Sequence, residues 1–310
     1  MINAKLHNVS IVISTYKGEA FIIEQLNTIL NQTYPLYEII IVDDASSDNT
    51  WSILQKIASR EKIIKLYRND QNLGYNKSFE KALQLATGDV IAISDQDDIW
   101  HLQKIEILLA NWTDHTPLIY CNSILFEQTI PVVPKSNKVI RRIHGADPKK
   151  LSFYNTVSGH TMIIKRELLK LAFPFDTNVY YDWWLAIVAT CNGGVSFVSD
   201  VLVYQRVHGK NVTIRRDLSK REHFLRCNLM LLDHLRKFQN INNIDNKDKK
   251  FFQAFYELWH QSLIHENNWK LFVFLMRNRK KVFSYKRRRI SFISHLKHSY
   301  RYSFKNLLQA

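Results

Sequence analysis

Short apolar runs rich in β-branched residues alternate with helix-like segments through the first hundred residues. The predicted strands are 9–14, 38–42, 63–67 and 90–94, and the helices between them include 50–59 and 76–86. Two further strands are predicted later in the chain, at 195–199 and 201–207. Residues 9–14 (VSIVIS) are apolar on both faces, which is typical of strands buried within a parallel sheet. This alternation predicts an α/β fold with a doubly wound, mostly parallel, Rossmann-like sheet.

Composition narrows the class of protein. The chain has 310 residues with 46% hydrophobic content, enough to build one large or two modest domains. Its cysteines, Cys121, Cys191 and Cys227, are odd in number and widely spaced, which argues against a disulfide framework or a zinc site. The sequence shows no secretory signal pattern and no apolar run of about 18 residues, so we expect a cytoplasmic protein.

Three polar loops follow predicted parallel strands. They are residues 14–16 (STY), 43–48 (DDASSD) and 95–98 (DQDD). Because the carboxyl ends of parallel strands meet at one edge of a sheet, these loops converge there. We therefore predict the ligand site at this edge.

The loop after the fourth strand carries Asp95, Asp97 and Asp98. An Asp-x-Asp turn suits a hard divalent cation such as magnesium or manganese, particularly where a substrate diphosphate supplies the remaining ligands. A solvated acidic turn is the alternative. The position beside a second acidic loop favours the cation.

Several motifs together resemble a known family. Residues 9–50 (VSIVISTYKGEAFIIEQLNTILNQTYPLYEIIIVDDASSDNT) and 72–100 (NLGYNKSFEKALQLATGDVIAISDQDDIW) resemble the nucleotide-sugar-binding half of family 2 glycosyltransferases, which have the GT-A fold. The segments VSGHTMIIKRELL and FPFDTNVYYDWWLAIVATCNGGVSFVSDVLVYQRVHGKNVT resemble the acceptor half of the bacterial rhamnosyltransferase-like branch. The expected domains are a GT-A catalytic domain, 1–215, with halves 1–115 and 116–215, and a helical, basic region, 216–310.

The resemblance implies a set of donor-binding residues. Thr15 and Tyr16 would lie against the base and ribose of the nucleotide. Asp44 would accept the imide hydrogen of a uracil or thymine ring, and Asp43 is equally plausible on chemistry alone. Lys77 would steady a phosphate or be a solvated helix residue.

The same resemblance implies how the metal and sugar are held. Asp95 would bind the ribose hydroxyls or a water on the metal, Asp97 would ligate the metal, and His208 would lie near the metal or diphosphate. Asp98 would orient the sugar or cap a helix predicted at 100–112. His160 would line the sugar pocket or belong to a tight turn.

A carboxylate must also accept the proton of the attacking hydroxyl. Our choice is Asp182, with Tyr181 and Trp183 among the aromatic rings that desolvate it and hold a sugar face. Helix N-cap is the alternative role, since Asp182 precedes an apolar periodic run. The resemblance implies a single displacement with inversion, from dTDP-rhamnose or a UDP-hexose to a cell-surface glycan or lipid-linked saccharide.

The end of the chain is basic. Of the 43 Lys and Arg residues, twelve fall in 270–310, which has no Asp or Glu. An apolar stripe is predicted there, formed by Val282, Tyr285, Ile293, Leu296, Tyr300 and Phe304. A basic helix with such a stripe suits the inner face of an anionic membrane. For this tail, the alternatives are a helix packed on a domain or partner and nucleic-acid binding. For the protein as a whole, the alternative to an enzyme is a catalytically inactive GT-A scaffold.

Overall fold

The computed structural model describes residues 6–113, 115–131, 140–209, 218–265, 267–286 and 291–304. The chain forms two compact units that interleave along the sequence. The first comprises 1–136, 158–177 and 195–208, and the second comprises 137–157, 178–194 and 209–310. The division of a domain 1–215 from a region 216–310 stays a prediction.

The first unit contains an eight-stranded sheet. Its strands are β1 (Val9–Thr15), β2 (Glu38–Asp43), β3 (Ile64–Arg68), β4 (Val90–Ser94), β5 (Ile99–Trp100), β6 (Leu118–Phe126), β7 (Met162–Lys165) and β8 (Val195–Arg206). They lie in the order β3-β2-β1-β4-β7-β6-β8-β5. The first four in this order run parallel, β7 joins β4 and β6 antiparallel, and β6 and β8 are again parallel.

Helices cover this sheet. They are α1 (Ile22–Leu30), α2 (Thr50–Ala58), α3 (Tyr75–Leu85), α4 (Lys104–Ala110) and α5 (Leu169–Ala172). Consecutive residues of β1 and β2 are buried, because both faces of a parallel sheet are covered. On one face Ile11, Ile39 and Leu26 belong to a single apolar cluster that extends to α4. This packing fixes the strand ends from which the polar loops emerge.

Three predicted elements differ from the observed ones. The helix predicted at 100–112 begins only at Lys104, because Ile99–Trp100 pairs with β8 as an edge strand. Asp98 therefore does not cap a helix, and Trp100 is buried in the core. The two strands predicted at 195–199 and 201–207 form the single strand β8, whose register with β6 shifts near Asn122.

The second unit is helical. Its helices are α6 (Tyr181–Cys191), α7 (Lys220–Phe238), α8 (Asn246–Ile264), α9 (Trp269–Arg277), α10 (Arg279–Val282) and α11 (Ser291–Phe304). A capping box between Ser219 and Glu222 begins α7, and Asp245 caps α8. Aromatic rings fill its core, where Phe153 meets Trp259 and Phe283 edge to face at 5.8 and 5.3 Å.

The prediction of an apolar stripe near the end of the chain is wrong in part. Val282 is fully buried in α10, and Tyr285 stacks on Tyr154 at 4.5 Å. Because α10 ends at Val282 and α11 begins at Ser291, the predicted residues do not all belong to one helix and cannot form a single stripe. Ile293, Leu296 and Tyr300 remain exposed on α11. Over the described ranges, none of the helices combines the length and the hydropathy needed to cross a bilayer.

Candidate active site

The ends of β1, β2 and β4 lie side by side at one edge of the sheet. These strands are parallel neighbours, with Thr15 paired to Asp43 and Ile13 paired to Ser94. The backbone N–H of Asp44 also donates to the carbonyl of Thr15 at 2.8 Å. The three polar loops predicted to form a site therefore meet.

Gln96 ties the acidic turn to the loop after β1. Its Oε1 accepts hydrogen bonds from Thr15 Oγ1 at 2.6 Å and from the backbone N–H of Tyr16 at 2.9 Å. Its Nε2 donates to the carbonyl of Tyr16 at 3.2 Å. A Cβ added to Gly18 would lie 2.8 Å from Thr15 Oγ1, so this close approach requires glycine. Sequence reasoning treated Gln96 only as the spacer of the Asp-x-Asp motif.

The two aspartates that follow β2 have different surroundings. Asp44 is buried, with Oδ1 accepting from Asn69 Nδ2 and the Leu73 N–H and Oδ2 accepting from the Gly74 N–H, at 2.8 to 2.9 Å. One lone pair of Oδ2 remains for a further donor. Asp43 pairs through Oδ2 with Arg68 at 3.1 Å, while its buried Oδ1 lacks a hydrogen-bond partner among the described residues. Either carboxylate retains acceptor capacity, so the choice between them stays open.

Lys77 lies in the first turns of α3, next to a buried glutamate. Its Nζ contacts Glu80 Oε2 at 2.7 Å and the carbonyl of Phe175 at 3.4 Å. Glu80 also accepts from the Phe175 N–H at 2.8 Å. Lys77 therefore has an ion-pair partner of its own, and a phosphate would compete with Glu80 for it.

Asp95, Asp98 and His160 form a cluster of three potential metal ligands. One ligand atom of each lies within 4.8 Å of the others. His160 Nδ1 is 3.3 Å from Asp95 Oδ2 and 3.9 Å from Asp98 Oδ2. His160 lies in the 3-10 turn Gly159–Thr161 before β7. It therefore belongs to a tight turn, as one prediction had it, and also lies beside the two acidic residues.

A second pair lies within the same loop. His208 Nε2 and Asp97 Oδ2 are 2.8 Å apart, and the His208 ring stacks on Phe21 at 4.7 Å. Arg206 fixes this arrangement, because its backbone N–H donates to Asp98 Oδ1 and its Nε donates to the carbonyl of Asp97. The two residues predicted near the metal are thus in contact.

Burial and charge shift the pKa values of these groups. Burial raises the pKa of Asp98 to about 8, against the opposing positive charge of His160. The pKa of Asp97 is also raised, first by burial and then by the negative charge of Asp95. Burial would lower the pKa of His160, but the carboxylates of Asp98 and Asp95 raise it. The carboxylates of the cluster repel one another and are poorly solvated, and a bound cation would stabilise their charged forms.

Lys104 was missed by the sequence reasoning. It is fully buried at the start of α4, where Nζ donates to the carbonyl of His160 at 2.7 Å and lies over the Trp100 ring. Burial lowers its pKa to about 7. The available signal was its place on the apolar face of the predicted helix, four residues before the buried Leu108.

The predicted base and its aromatic neighbours belong to the second unit. Asp182 lies in the first turn of α6, and its Oδ1 accepts from the Trp183 N–H at 2.6 Å. The N-cap of α6 is Tyr180, so Asp182 does not have the capping role. Tyr181 is buried, and Trp183 is buried with Nε1 donating to the carbonyl of Leu151 at 2.7 Å. The burial of Trp183 counts against direct contact with a sugar.

Comparison with known proteins identifies the family. The sequence model described as Glycosyl transferase family 2 matches residues 10–173, which is more than half of the chain. The chain belongs to glycosyltransferase family 2. This confirms the family predicted from the Asp-x-Asp and neighbouring motifs.

One relative of this family 2 chain is the UDP-Glc:alpha-D-GlcNAc-diphosphoundecaprenol beta-1,3-glucosyltransferase WfgD of Escherichia coli. The two are 30% identical over 191 residues, which cover 59% of this chain and 71% of the relative. The chain spans 66% and 67% of the length of the first two curated relatives that it matches.

Solved structures support the fold of the family 2 chain. S. aureus TarS 1-349 in complex with UDP-GlcNAc superimposes with a TM-score of 0.60 at 18% identity, covering 97% of this chain and 82% of that one. The mannosyltransferase PcManGT from Pyrobaculum calidifontis, in complex with GDP-Man and Mn2+, gives 0.57 at 20% identity, covering 81% and 69%. The predicted GT-A fold is confirmed.

Proposed function

We propose that this protein is an inverting glycosyltransferase that moves a sugar from a nucleoside diphosphate sugar to a hydroxyl of a cell-surface glycan or lipid-linked saccharide. The observation that carries the proposal is the cluster of Asp95, Asp98 and His160 at the end of β4. Such a cluster, within a family 2 domain, suits the negatively charged diphosphate of a donor bound with a cation.

The donor set fits a divalent metal ion, manganese or magnesium. Asp98 Oδ2 is buried and, within the described residues, has no hydrogen-bond partner, so a ligand position is available. Asp97 and His208 are the predicted ligands, and Asp95, Asp98 and His160 are a second candidate set. A bound cation would supply Lewis-acid stabilisation of the departing diphosphate.

The loops after β1 and β2 supply the nucleotide contacts. Gln96 holds Thr15 and Tyr16 in place, and Tyr16 is exposed. We expect the base to lie against Tyr16 and its imide hydrogen to be accepted by Asp44 or Asp43. Lys77 would reach a phosphate by exchanging its ion pair with Glu80. Asp95, the most exposed member of the acidic cluster, would bind the ribose hydroxyls or a water on the metal.

Asp182 is the proposed general base. Asp182 lies in the first turn of α6, where the N-terminal dipole of the helix favours a negative charge, and a carboxylate there can accept the proton of the attacking hydroxyl. The hydroxyl then attacks the anomeric carbon as the bond to the diphosphate breaks, and the configuration inverts. The predicted sugar-contacting residues are Asp98 and His160 in the first unit and Tyr181 and Trp183 in the second. Tyr181 and Trp183 are buried, so we give Asp98 and His160 the leading role.

The relative in Escherichia coli favours one donor class. Its name specifies UDP-Glc as donor and a diphosphoundecaprenol-linked GlcNAc as acceptor. We therefore place a UDP-hexose ahead of dTDP-rhamnose as the donor, and a lipid-linked saccharide as the acceptor. A lipid-linked acceptor would require the protein to work in the cytoplasm, peripherally at the inner face of the cell membrane.

Calorimetric titration with UDP-glucose, UDP-GlcNAc, GDP-mannose and dTDP-rhamnose, with and without manganese, tests the donor site. We expect metal-dependent binding of one donor, lost in Asp97→Asn and retained in Asp70→Asn, an exposed aspartate after β3. Metal-independent binding would remove the proposed cation. Binding of none of these donors by a folded protein would favour an inactive GT-A scaffold.

The base is tested separately, by turnover. Asp182→Asn should bind the donor as the wild type does and transfer sugar about 1000-fold more slowly, since a positioned base contributes about 10²–10⁴-fold. The anomeric coupling constant of the product, measured by NMR, reports inversion or retention. Full activity in Asp182→Asn would assign the proton transfer to another group.

A further inference from the structure

Helix α11 has its polar and apolar residues on the unexpected sides. It buries His295, Ser299 and Ser303, and in each a side-chain atom lacks a hydrogen-bond partner within the described ranges. Its large apolar residues face outward, with Ile293 59% and Tyr300 57% exposed. A helix at the surface of a globular protein ordinarily shows the reverse pattern. The exposed apolar side of α11 therefore requires a partner of its own.

The exposed apolar surface continues onto α9, which packs against α11. The N–H of Asn268 donates to the carbonyl of Ser303 at 2.7 Å, and the ring of Phe304 lies 4.6 Å from Trp269 and 5.1 Å from Tyr300. We call this surface the α9–α11 face. Its exposed residues are Trp269, Val273, Phe292, Ile293, Leu296 and Tyr300.

Cations accompany the apolar residues. Lys270 and Arg277 line a hollow along α9 together with Trp269 and Val273. On α11, Lys297 and Arg301 are exposed. The sequence has no Asp or Glu from 267 to its end. A surface that presents apolar side chains and only positive charge complements acyl chains and anionic headgroups.

We propose that the α9–α11 face is the surface by which this protein lies on an anionic phospholipid bilayer. A second copy of the same face would bring cations against cations, which disfavours a dimer through it. Nucleic acid would use the aromatic rings and cations but leave Val273, Ile293 and Leu296 exposed to water. Interfacial tryptophan and tyrosine, flanked by aliphatic residues and Lys or Arg, match a bilayer surface.

This inference deepens the proposed function and rests on it for the lipid-linked acceptor. Its test does not depend on sugar transfer. Vesicle binding measures the face, while donor titration and transfer to a soluble acceptor measure the catalytic site. A failure of one leaves the other result standing.

The first test is co-sedimentation of the full chain with vesicles of phosphatidylcholine containing phosphatidylglycerol. The double variant Ile293→Ser/Leu296→Ser should bind at least about ten-fold more weakly, because two apolar side chains leave the interface. The matched control is Ile264→Ser at the end of α8, where the isoleucine is 60% exposed and lies outside the face. Equal losses in the two variants, or no loss in either, would overturn the proposal. Circular dichroism verifies folding.

The second test separates charge from apolar contact. Lys270→Glu should weaken binding to the anionic vesicles by roughly five-fold or more and change binding to neutral vesicles little. Wild-type binding should fall as salt rises. Tighter binding to a single-stranded RNA oligonucleotide than to vesicles at equal ionic strength would contradict the proposal. So would a wild-type dimer that the double variant converts to a monomer without any vesicle binding.

Discussion

The acidic turn of the first unit and the α9–α11 face of the second depart from ordinary burial in opposite directions. In and beside the acidic turn, residues 95–98, the ionisable groups of Asp98, Lys104 and His160 are buried. On the α9–α11 face, Ile293 and Tyr300 are exposed while Ser299 is buried. Each arrangement costs free energy in the isolated protein, and the two proposed partners, a cation and a lipid bilayer, would recover that cost in different ways.

The difference lies in how the cost is offset. Burying an ion without a partner costs several kcal/mol. The acidic turn therefore depends on fixed neighbours such as Arg206 and Lys104, and it would suit a small, charged ligand. Leaving one large apolar side chain in water forgoes about 1.5–3 kcal/mol, which an extended fluid surface recovers without exact placement. The buried site therefore suits the proposed sugar transfer, and the exposed face suits the proposed binding to a membrane.

The largest expected effect separates these two roles. Asp97→Asn should lower the turnover of sugar transfer to a soluble acceptor about 1000-fold, because a charge beside the diphosphate is worth several kcal/mol in the transition state. Vesicle binding of this variant should equal that of the wild type. Ile293→Ser/Leu296→Ser should show the opposite pattern. A single variant that impairs both assays while remaining folded would break the comparison.

Lys104→Met tests the support of the acidic turn. Methionine is unbranched and one atom shorter than lysine, and it cannot form the hydrogen bond from Nζ to the His160 carbonyl. Loss of an outer partner typically lowers metal affinity about 10–100-fold, and we expect this for manganese measured by calorimetry. Lys56→Met on the exposed side of α2 is the control. Equal manganese affinities in the two variants would show that Lys104 has no positioning role.

Glu38 provides a buried charge whose partners are complete. Burial alone would raise its pKa, but the Lys65 ion pair and donors from Thr87 and Ser10 lower it to about 2. Because the folded pKa is below the ordinary 4.5, the stabilisation is present above pH 4.5 and disappears as the pH falls towards about 2.

Glu38→Gln should therefore reduce the free energy of unfolding by about 2 kcal/mol at pH 7 and by much less near pH 2. Urea unfolding of both proteins across this pH range measures the difference. The exposed Glu61→Gln is the control. A loss of stability that does not change with pH would assign it to packing.

The smallest effect concerns the buried side of α11. Ser299→Ala should raise the free energy of unfolding by about 1 kcal/mol more than Ser294→Ala, because Ser299, unlike the partly exposed Ser294, has a fully buried hydroxyl without a partner in the described ranges. Both changes bring the same gain in helix propensity, so their difference reports the hydroxyl. Equal changes would show that Ser299 has a partner in solution.

The sequence pattern predicted the parallel strands of the sheet accurately. β1, β2 and β4 were predicted to within a residue, because their buried runs are nearly continuous and bounded by turns. The short strand Ile99–Trp100 could not be predicted, since its partner in β8 lies about a hundred residues away. The meeting of Lys104 with His160 is hidden for the same reason.

The site shows the same limit. Local motifs singled out Asp95, Asp97 and Asp98, and the family resemblance added His160 and His208. The pairing of each histidine with its carboxylate depends on the antiparallel position of β7 and on the register of β8. Local periodicity in the sequence predicts neither of these features. On α11, the interruption between Val282 and Ser291 changes the helical phase that a single stripe assumes.

The hydrogen bonds of Gln96 have a consequence for engineering. Because one side chain binds both Thr15 and Tyr16, residues 15–18 and 94–98 form a single interlocked module and not two exchangeable loops. Grafting the loop after β1 from another nucleotide-sugar enzyme would leave Gln96 facing a foreign backbone. Donor preference should therefore transfer between scaffolds only when both segments are exchanged together, with glycine kept at position 18.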